Sequence, residues 1–301
     1  MAHIVLIHGI SHQYESADQL ETEWIPAIAG GVRNAGFAMI ADSIMGKKIE
    51  IRMAFYGQRF RTQAQGVGRD IAALQSDLLV ESLAVEWLER AESSTDEKVR
   101  RSAMLERRGL LQSRNASQGI GNVMRSATSA LARVPLLADL GMGFAQNFLY
   151  TALKQVSKYF EDAKLRMLII EDVAALVDNR TAVLIGHSLG SIVAFEIAHR
   201  LNNDIRLLTT LGPPIGLRNI VFDRLVPKPP TFPPRVQTWI NVADKDDFVA
   251  AVSDLGPLFQ VSSRPSAKFE NHIVSNGARP HDVRPYLSST AVGVALAKAL
   301  S

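Results

Sequence analysis

The pentapeptide Gly186-His187-Ser188-Leu189-Gly190 joins two stretches that cannot belong to one element. Before it, Ala182-Val183-Leu184-Ile185 is a short apolar run of strand length. After it, Ser191-Ile192-Val193-Ala194-Phe195-Glu196-Ile197-Ala198 has the composition of a buried helix. A strand that runs through a sharp turn straight into a helix is the building unit of an α/β layer. The turn is strained, so Ser188 projects from its tip, and the flanking glycines keep side chains out of the crowded space beneath it. The pattern alone decides little, because roughly one random chain of this length in ten carries G-x-S-x-G. The plainer alternative is a glycine-rich turn in which Ser188 only caps the helix. The rest of the chain must therefore supply, or fail to supply, a base, an acid and hydrogen-bond donors for an activated serine.

Strands are expected at His3–Ile7, Ile49–Tyr56, Ile205–Leu211 and Val236–Val242, in addition to the one before the pentapeptide. Helical spacing of apolar residues runs from Asp70 to about Arg90, through Leu136–Val156, over Lys164–Asp178 and again over Ser289–Leu300. Five of the 13 prolines fall between Val226 and Pro234, which makes that segment a stiff connector. Strands alternating with helices predict an α/β fold with a mostly parallel central sheet and helices on both faces. Residues 60–165 break the alternation. They are expected to form a helical insertion, either a cap or edge helices, within one domain spanning 1–301.

With 301 residues, 47% apolar and 21% charged, the chain can bury a large core. It has no cysteine, which excludes disulfides, thiol nucleophiles and Cys–zinc sites. The chain enters a strand at His3 with no basic leader, and the most apolar long stretch, Val134–Leu153, carries Asp139, Gln146 and Asn147. A soluble cytoplasmic protein is the expectation. The net charge of +3 is unevenly spread: Lys98–Arg133 holds eight basic residues and one acid, a net +7 that leaves −4 elsewhere. A solvated helical face is the simple explanation. An anionic membrane surface is the sharper one. The segment has no aromatic residue to stack on bases, which argues against nucleic acid.

A serine hydroxyl needs a positioned base. Of seven histidines, His3 and His8 lie on the first strand, His12 follows it, and His199 lies about three turns along the helix after the serine. His187 is a chain neighbour of Ser188, so its side chain points away from that of the serine. His281, in the loop before the last helix, is the favoured base, because such a loop overhangs the carboxyl ends of the strands. His272, just before Ile273-Val274, is the alternative. The acid is sought in Asp244-Lys245-Asp246-Asp247, at the end of a strand. Asp247 precedes the apolar Phe248-Val249-Ala250, which would draw its carboxylate inward, and is favoured; Asp244 is the alternative.

The order Ser188, Asp247, His281 is that of the α/β-hydrolases, and differs from the chymotrypsin and subtilisin orders. On this order, on Ile7-His8-Gly9-Ile10, on the Gly186–Gly190 turn and on Leu211-Gly212-Pro213-Pro214, the chain resembles an α/β-hydrolase of the lipase/esterase type. The resemblance implies a serine hydrolase that cleaves a small-molecule or lipid ester through an acyl-enzyme, with no metal or organic cofactor. A thioesterase, a peptidase or a non-catalytic binding module on the same fold are the alternatives. It also implies an oxyanion hole made by the backbone N–H groups of Leu189 and Ile10, with His8 orienting the loop. A single glycine follows His8 where many esterases have a glycine-rich run, which leaves the second donor open.

Overall fold

A computed structural model describes residues 3–61, 71–94, 96–113, 129–131, 133–134, 142–218, 220–247, 249–250, 252–259, 266–277 and 279–301. Six strands, β1 (His3–Ile7), β2 (Glu50–Ala54), β3 (Thr181–His187), β4 (Ile205–Leu211), β5 (Val236–Asp244) and β6 (Lys268–Val274), form one sheet in the order β2-β1-β3-β4-β5-β6. All five pairings are parallel. Parallel strands buried on both faces read as continuous apolar runs, as β1 and β3 do: every residue of both is buried.

Side chains alternate between the faces of the sheet. On one face Ile4, Leu6, Val183, Ile185, Leu207 and Ile240 join Trp24 and Ile28 of helix Ala17–Asn34 and Val292 and Leu296 of helix Thr290–Leu300 in one core. On the other, Trp239 meets the rings of Phe195 in helix Leu189–Ala198 (5.6 Å), Phe259 (4.7 Å) and Phe232 (5.9 Å). Helices thus cover both faces, as the alternation of elements predicts. The Pro-rich segment holds no strand, and Val226 N–H donates to the buried carboxylate of Glu196 at 3.3 Å.

The chain forms two compact units, Met1–Arg59 with Met167–Ser301, and Phe60–Arg166. The sheet belongs to the first. Within the second, helix Ile71–Ala91 packs against helices Glu97–Ser113 and Met142–Glu161, with Leu83, Trp87, Ala103 and Leu153 buried. Several boundaries differ from the periodicity reading. The expected strand Ile49–Tyr56 is shorter, at Glu50–Ala54, and the expected helix Lys164–Asp178 is Ala163–Ala174. Of the expected helix Leu136–Val156, residues 136–141 lie outside the described residues, as do Arg114 and Arg125 of the basic segment. His272 falls inside β6 and not at its start.

The strand order reverses between β1 and β3, because the chain steps from β1 to β2 on one side and from β3 to β4 on the other. Ligands of open α/β sheets bind at the carboxyl ends of the strands where this reversal leaves a crevice. His8-Gly9-Ile10 follows β1 and Ser188 follows β3, so both lie at that point. Trp239 is fully buried, and its Nε1–H donates to Thr210 Oγ1 at 3.0 Å. Trp239→Ala is therefore expected to cost about 3–5 kcal/mol in a denaturant melt; a loss well below that range would show that this core relaxes around the gap.

Candidate active site

Ser188 lies between β3 and helix Leu189–Ala198 with φ +53° and ψ −125°. A positive φ costs a non-glycine residue about 1–3 kcal/mol and persists only where the surroundings impose it. Here they do. A Cβ at Gly190 would strike the carbonyl oxygens of Ile7 and His8, and one at Gly186 would strike the Gly190 carbonyl. Only glycines at these positions let the first turn of the helix press against the end of β1. Ser188 N–H donates to Leu211 O at 3.0 Å, and Ser191 Oγ donates to Gly186 O at 2.7 Å.

From this turn a chain of hydrogen bonds runs outward. Ser188 Oγ lies 3.1 Å from His281 Nε2. His281 Nδ1 lies 2.8 Å from Asp247 Oδ2. Asp247 is fully buried, and three groups compensate its carboxylate besides the imidazole. Val249 N–H and Ala250 N–H donate to Oδ1 at 3.0 and 3.3 Å, and Tyr286 O–H donates to Oδ2 at 2.8 Å. Of the apolar stretch after Asp247, Val249 and Ala250 are buried, and Phe248 lies outside the described residues. Burial, and next the Asp247 carboxylate, push the Tyr286 phenol far above its usual range, so it stays a donor. Gly212, at φ +51°, passes so close that a Cβ would stand 2.7 Å from Asp247 Oδ2 and 3.3 Å from His281 Nδ1. Such a chain can draw a proton from the serine hydroxyl to the imidazole while the carboxylate holds the ring.

The other sequence candidates lie elsewhere. Asp244 accepts N–H groups from Asp246 (2.7 Å) and Asn276, and burial raises its carboxyl above the ordinary range. His272 Nε2 lies 3.3 Å from Glu270 on β6, the edge strand, far along the sheet order from β3. His199 Nε2 donates to Thr231 O at 3.0 Å. His187 Nε2 lies 3.1 Å from the carbonyl oxygen of His281. Sequence reasoning did not find Tyr286 as a partner of Asp247, nor the contact from His187 to the His281 loop.

Among the described residues, the N–H groups of Leu189 and Ile10 have no hydrogen-bond acceptor. Leu189 opens its helix, where the first N–H groups have no partner within the helix. The loop carrying Ile10 runs directly against the serine, since a Cβ on Gly9 would stand 2.9 Å from Ser188 Cβ. His8 braces that loop. Its Nδ1–H donates to Gly9 O at 2.7 Å, its Nε2 accepts Tyr56 N–H at 3.1 Å, and its ring stacks on that of Tyr56 at 4.1 Å. Among the described residues no group of three His, Asp or Glu side chains is arranged to hold a metal ion. No family model, no curated protein and no solved structure matches the chain.

Burial, with His12 near by, pushes His8 down to about 3, and burial with His281 beside it holds His187 well below the ordinary imidazole value. Both rings are therefore neutral in the fold. An unfolded histidine takes up a proton below about pH 6.5, and these two do not. The unfolded state then binds more protons, so stability falls as the pH drops. Denaturant melts are expected to show lower stability at pH 5 than at pH 7, by about 2 kcal/mol from His8 with a further loss from His187; equal stability at the two pH values would contradict their buried neutral state.

Proposed function

We propose that the chain is a serine hydrolase that cleaves a carboxylic ester by way of an acyl-enzyme. The observation that carries this reading is the hydrogen-bonded series Ser188–His281–Asp247, built on a serine at positive φ beside two N–H groups without an acceptor among the described residues. In this reading Ser188 Oγ attacks the ester carbonyl as its proton passes to His281 Nε2. The carbonyl oxygen becomes an oxyanion and receives the N–H groups of Leu189 and Ile10, a donor of this kind being worth about 3 kcal/mol of barrier. Imidazolium Nε2–H then protonates the leaving alkoxide, which departs as the alcohol. Water, deprotonated by the same nitrogen, attacks the acyl-enzyme; the bond to Ser188 Oγ breaks, the imidazolium returns the proton to that oxygen, and the acid departs. Asp247 holds the ring in the Nδ1–H tautomer and stabilises its positive charge. The Phe60–Arg166 unit is, in the same reading, an insertion into a single hydrolase domain.

A fluorophosphonate probe is expected to label the wild-type protein and to fail on Ser188→Ala. A folded wild type that resists labelling would instead favour a binding module. Ester, thioester and peptide substrates of one acyl group, compared by kcat/KM, decide among the three leaving groups. Asp247→Asn is expected to lower kcat by about 10³–10⁴-fold, because an amide leaves the imidazole in the wrong tautomer. Asp244→Asn should leave turnover within a few-fold. A reversal of these two effects would move the acid role to Asp244.

One further observation, within the Phe60–Arg166 unit, bears on a partner surface. Helix Glu97–Ser113 buries Val99, Ala103 and Leu110. Its opposite face exposes Met104 (55%), Leu105 (65%) and Leu111 (38%) between Lys98, Arg101 and Arg108. Arg107 and Arg133 of the same basic segment are paired with Glu92 and Glu106. Exposed apolar residues among cations suit the surface of an anionic bilayer, and this face is proposed to meet one. Co-sedimentation with phosphatidylglycerol vesicles should exceed that with phosphatidylcholine and weaken with salt. Arg101→Ala and Arg108→Ala should each lower it by about fivefold; vesicle binding that ignores both substitutions would remove the membrane from the proposal.

A further inference from the structure

We propose that His187 is a positioning residue for His281: its Nε2–H grips the main chain of the loop that carries the base. The inference rests on the reading of Ser188, His281 and Asp247 as the hydrolytic machinery.

The partner of His187 Nε2 is a carbonyl oxygen, 3.1 Å away, which only accepts. Nε2 must therefore carry the hydrogen. His187 Nδ1 then presents a lone pair, and it is buried with no hydrogen-bond partner among the described residues. A protonated ring would leave a buried N–H with nothing to accept it, so the imidazole works as a neutral, single donor. The ring lies against that of His281, with centroids 4.8 Å apart, and edge-on to Trp24 at 6.2 Å.

The His281 loop is held at its carbonyls and at one N–H. Asp282 N–H donates to Arg279 O, and the carbonyls of Pro280 and His281 are taken by the side chains of Asn276 (2.9 Å) and His187. Asp247 and Ser188 bond the two nitrogens of the His281 ring, but neither bond reaches the backbone from which that ring extends. The His187 bond fixes the backbone from which that ring extends. His187 is also the last residue of β3 and the residue before Ser188. Base and nucleophile are thus fastened to the same piece of backbone, which sets their separation. A misplacement of about 1 Å between reacting groups can cost about 10²-fold in rate. Neutrality matters too. A lysine or arginine in this place could make the bond but would set a second cation beside the imidazolium that forms in each turnover.

Two substitutions separate this role from packing. His187→Gln keeps an N–H at similar reach, while His187→Leu fills similar space with no donor. The Leu variant is expected to lose about 10–100-fold in kcat with KM within about twofold, and to react with the fluorophosphonate probe slower by the same factor. The Gln variant is expected to recover most of both. Packing alone demands the opposite order, because an amide is harder to bury than an alkyl chain. If the Leu variant does not fold, His187→Met supplies the same comparison. A labelled wild type in which the Leu or Met variant equals or exceeds the Gln variant overturns the positioning role and leaves the hydrolase reading standing. A wild type that is not labelled at all removes the hydrolase reading itself.

Discussion

The close approach of one helix to the end of one strand governs the site. The backbone of Gly190 presses on the carbonyls of Ile7 and His8, and that of Gly186 presses on Gly190. No residue with a side chain fits either place. Three consequences follow from that one contact. Ser188 is forced to φ +53°, Leu189 starts its helix with an N–H that has no acceptor among the described residues, and the loop after β1 runs alongside both. The contact is possible because β1 and β3 are neighbours and parallel, so that their carboxyl ends lie together. Sheet order, turn strain and unpaired donors are aspects of the same packing.

The second constraint is a buried charge. A carboxylate with no exposure to water survives only if hydrogen bonds replace its hydration. Asp247 draws its bonds from three parts of the chain: the N–H groups of Val249 and Ala250 just after it, the Tyr286 hydroxyl 39 residues on, and the His281 ring. Tyr286 serves two masters, since its oxygen also accepts Asp244 N–H at 2.8 Å. That bond ties the end of β5 to helix Val283–Leu287, next to the loop that carries His281. Gly212, at the end of β4, leaves the gap through which Asp247 and His281 meet.

How much of this was legible in the sequence follows from range. Strand β3, the turn and its helix are contiguous, so apolar run, glycines and helix formers announce them together. The α/β class follows from the same alternation along the chain. Strand β6 was harder to read. Its burial alternates only weakly, as befits the last strand of the order, and the apolar signal is confined to Ile273-Val274. Helices Ala17–Asn34 and Ala38–Met45 went unread, because Pro26 and paired glycines interrupt the first and the second is only eight residues long. The burial of Val249 and Ala250 could be read from their apolar side chains. The Tyr286 bond could not, because nothing local to Tyr286 distinguishes it from any core tyrosine. The contact from His187 to His281 O escaped for the same reason: 94 residues separate the partners, and one of them is a backbone carbonyl.

The histidines crowded at this end of the sheet explain a further feature of its electrostatics. His8 and His12 are 5.3 Å apart, and His187 and His281 are 4.8 Å apart. Two imidazolium rings at such distances would repel, more strongly as water is excluded. Burial removes the conflict by keeping His8 and His187 neutral. Each then acts as a directional donor: His8 bonds the carbonyl of Gly9 on the β1 loop, and His187 the carbonyl of His281. His281 alone of these bonds a buried carboxylate, so the positive charge that the proposed hydrolysis places there would have Asp247 as its counter-ion and no rival cation from His187 or His8. Burial thus makes two of these rings fixed neutral struts around the ring that lies between Ser188 and Asp247.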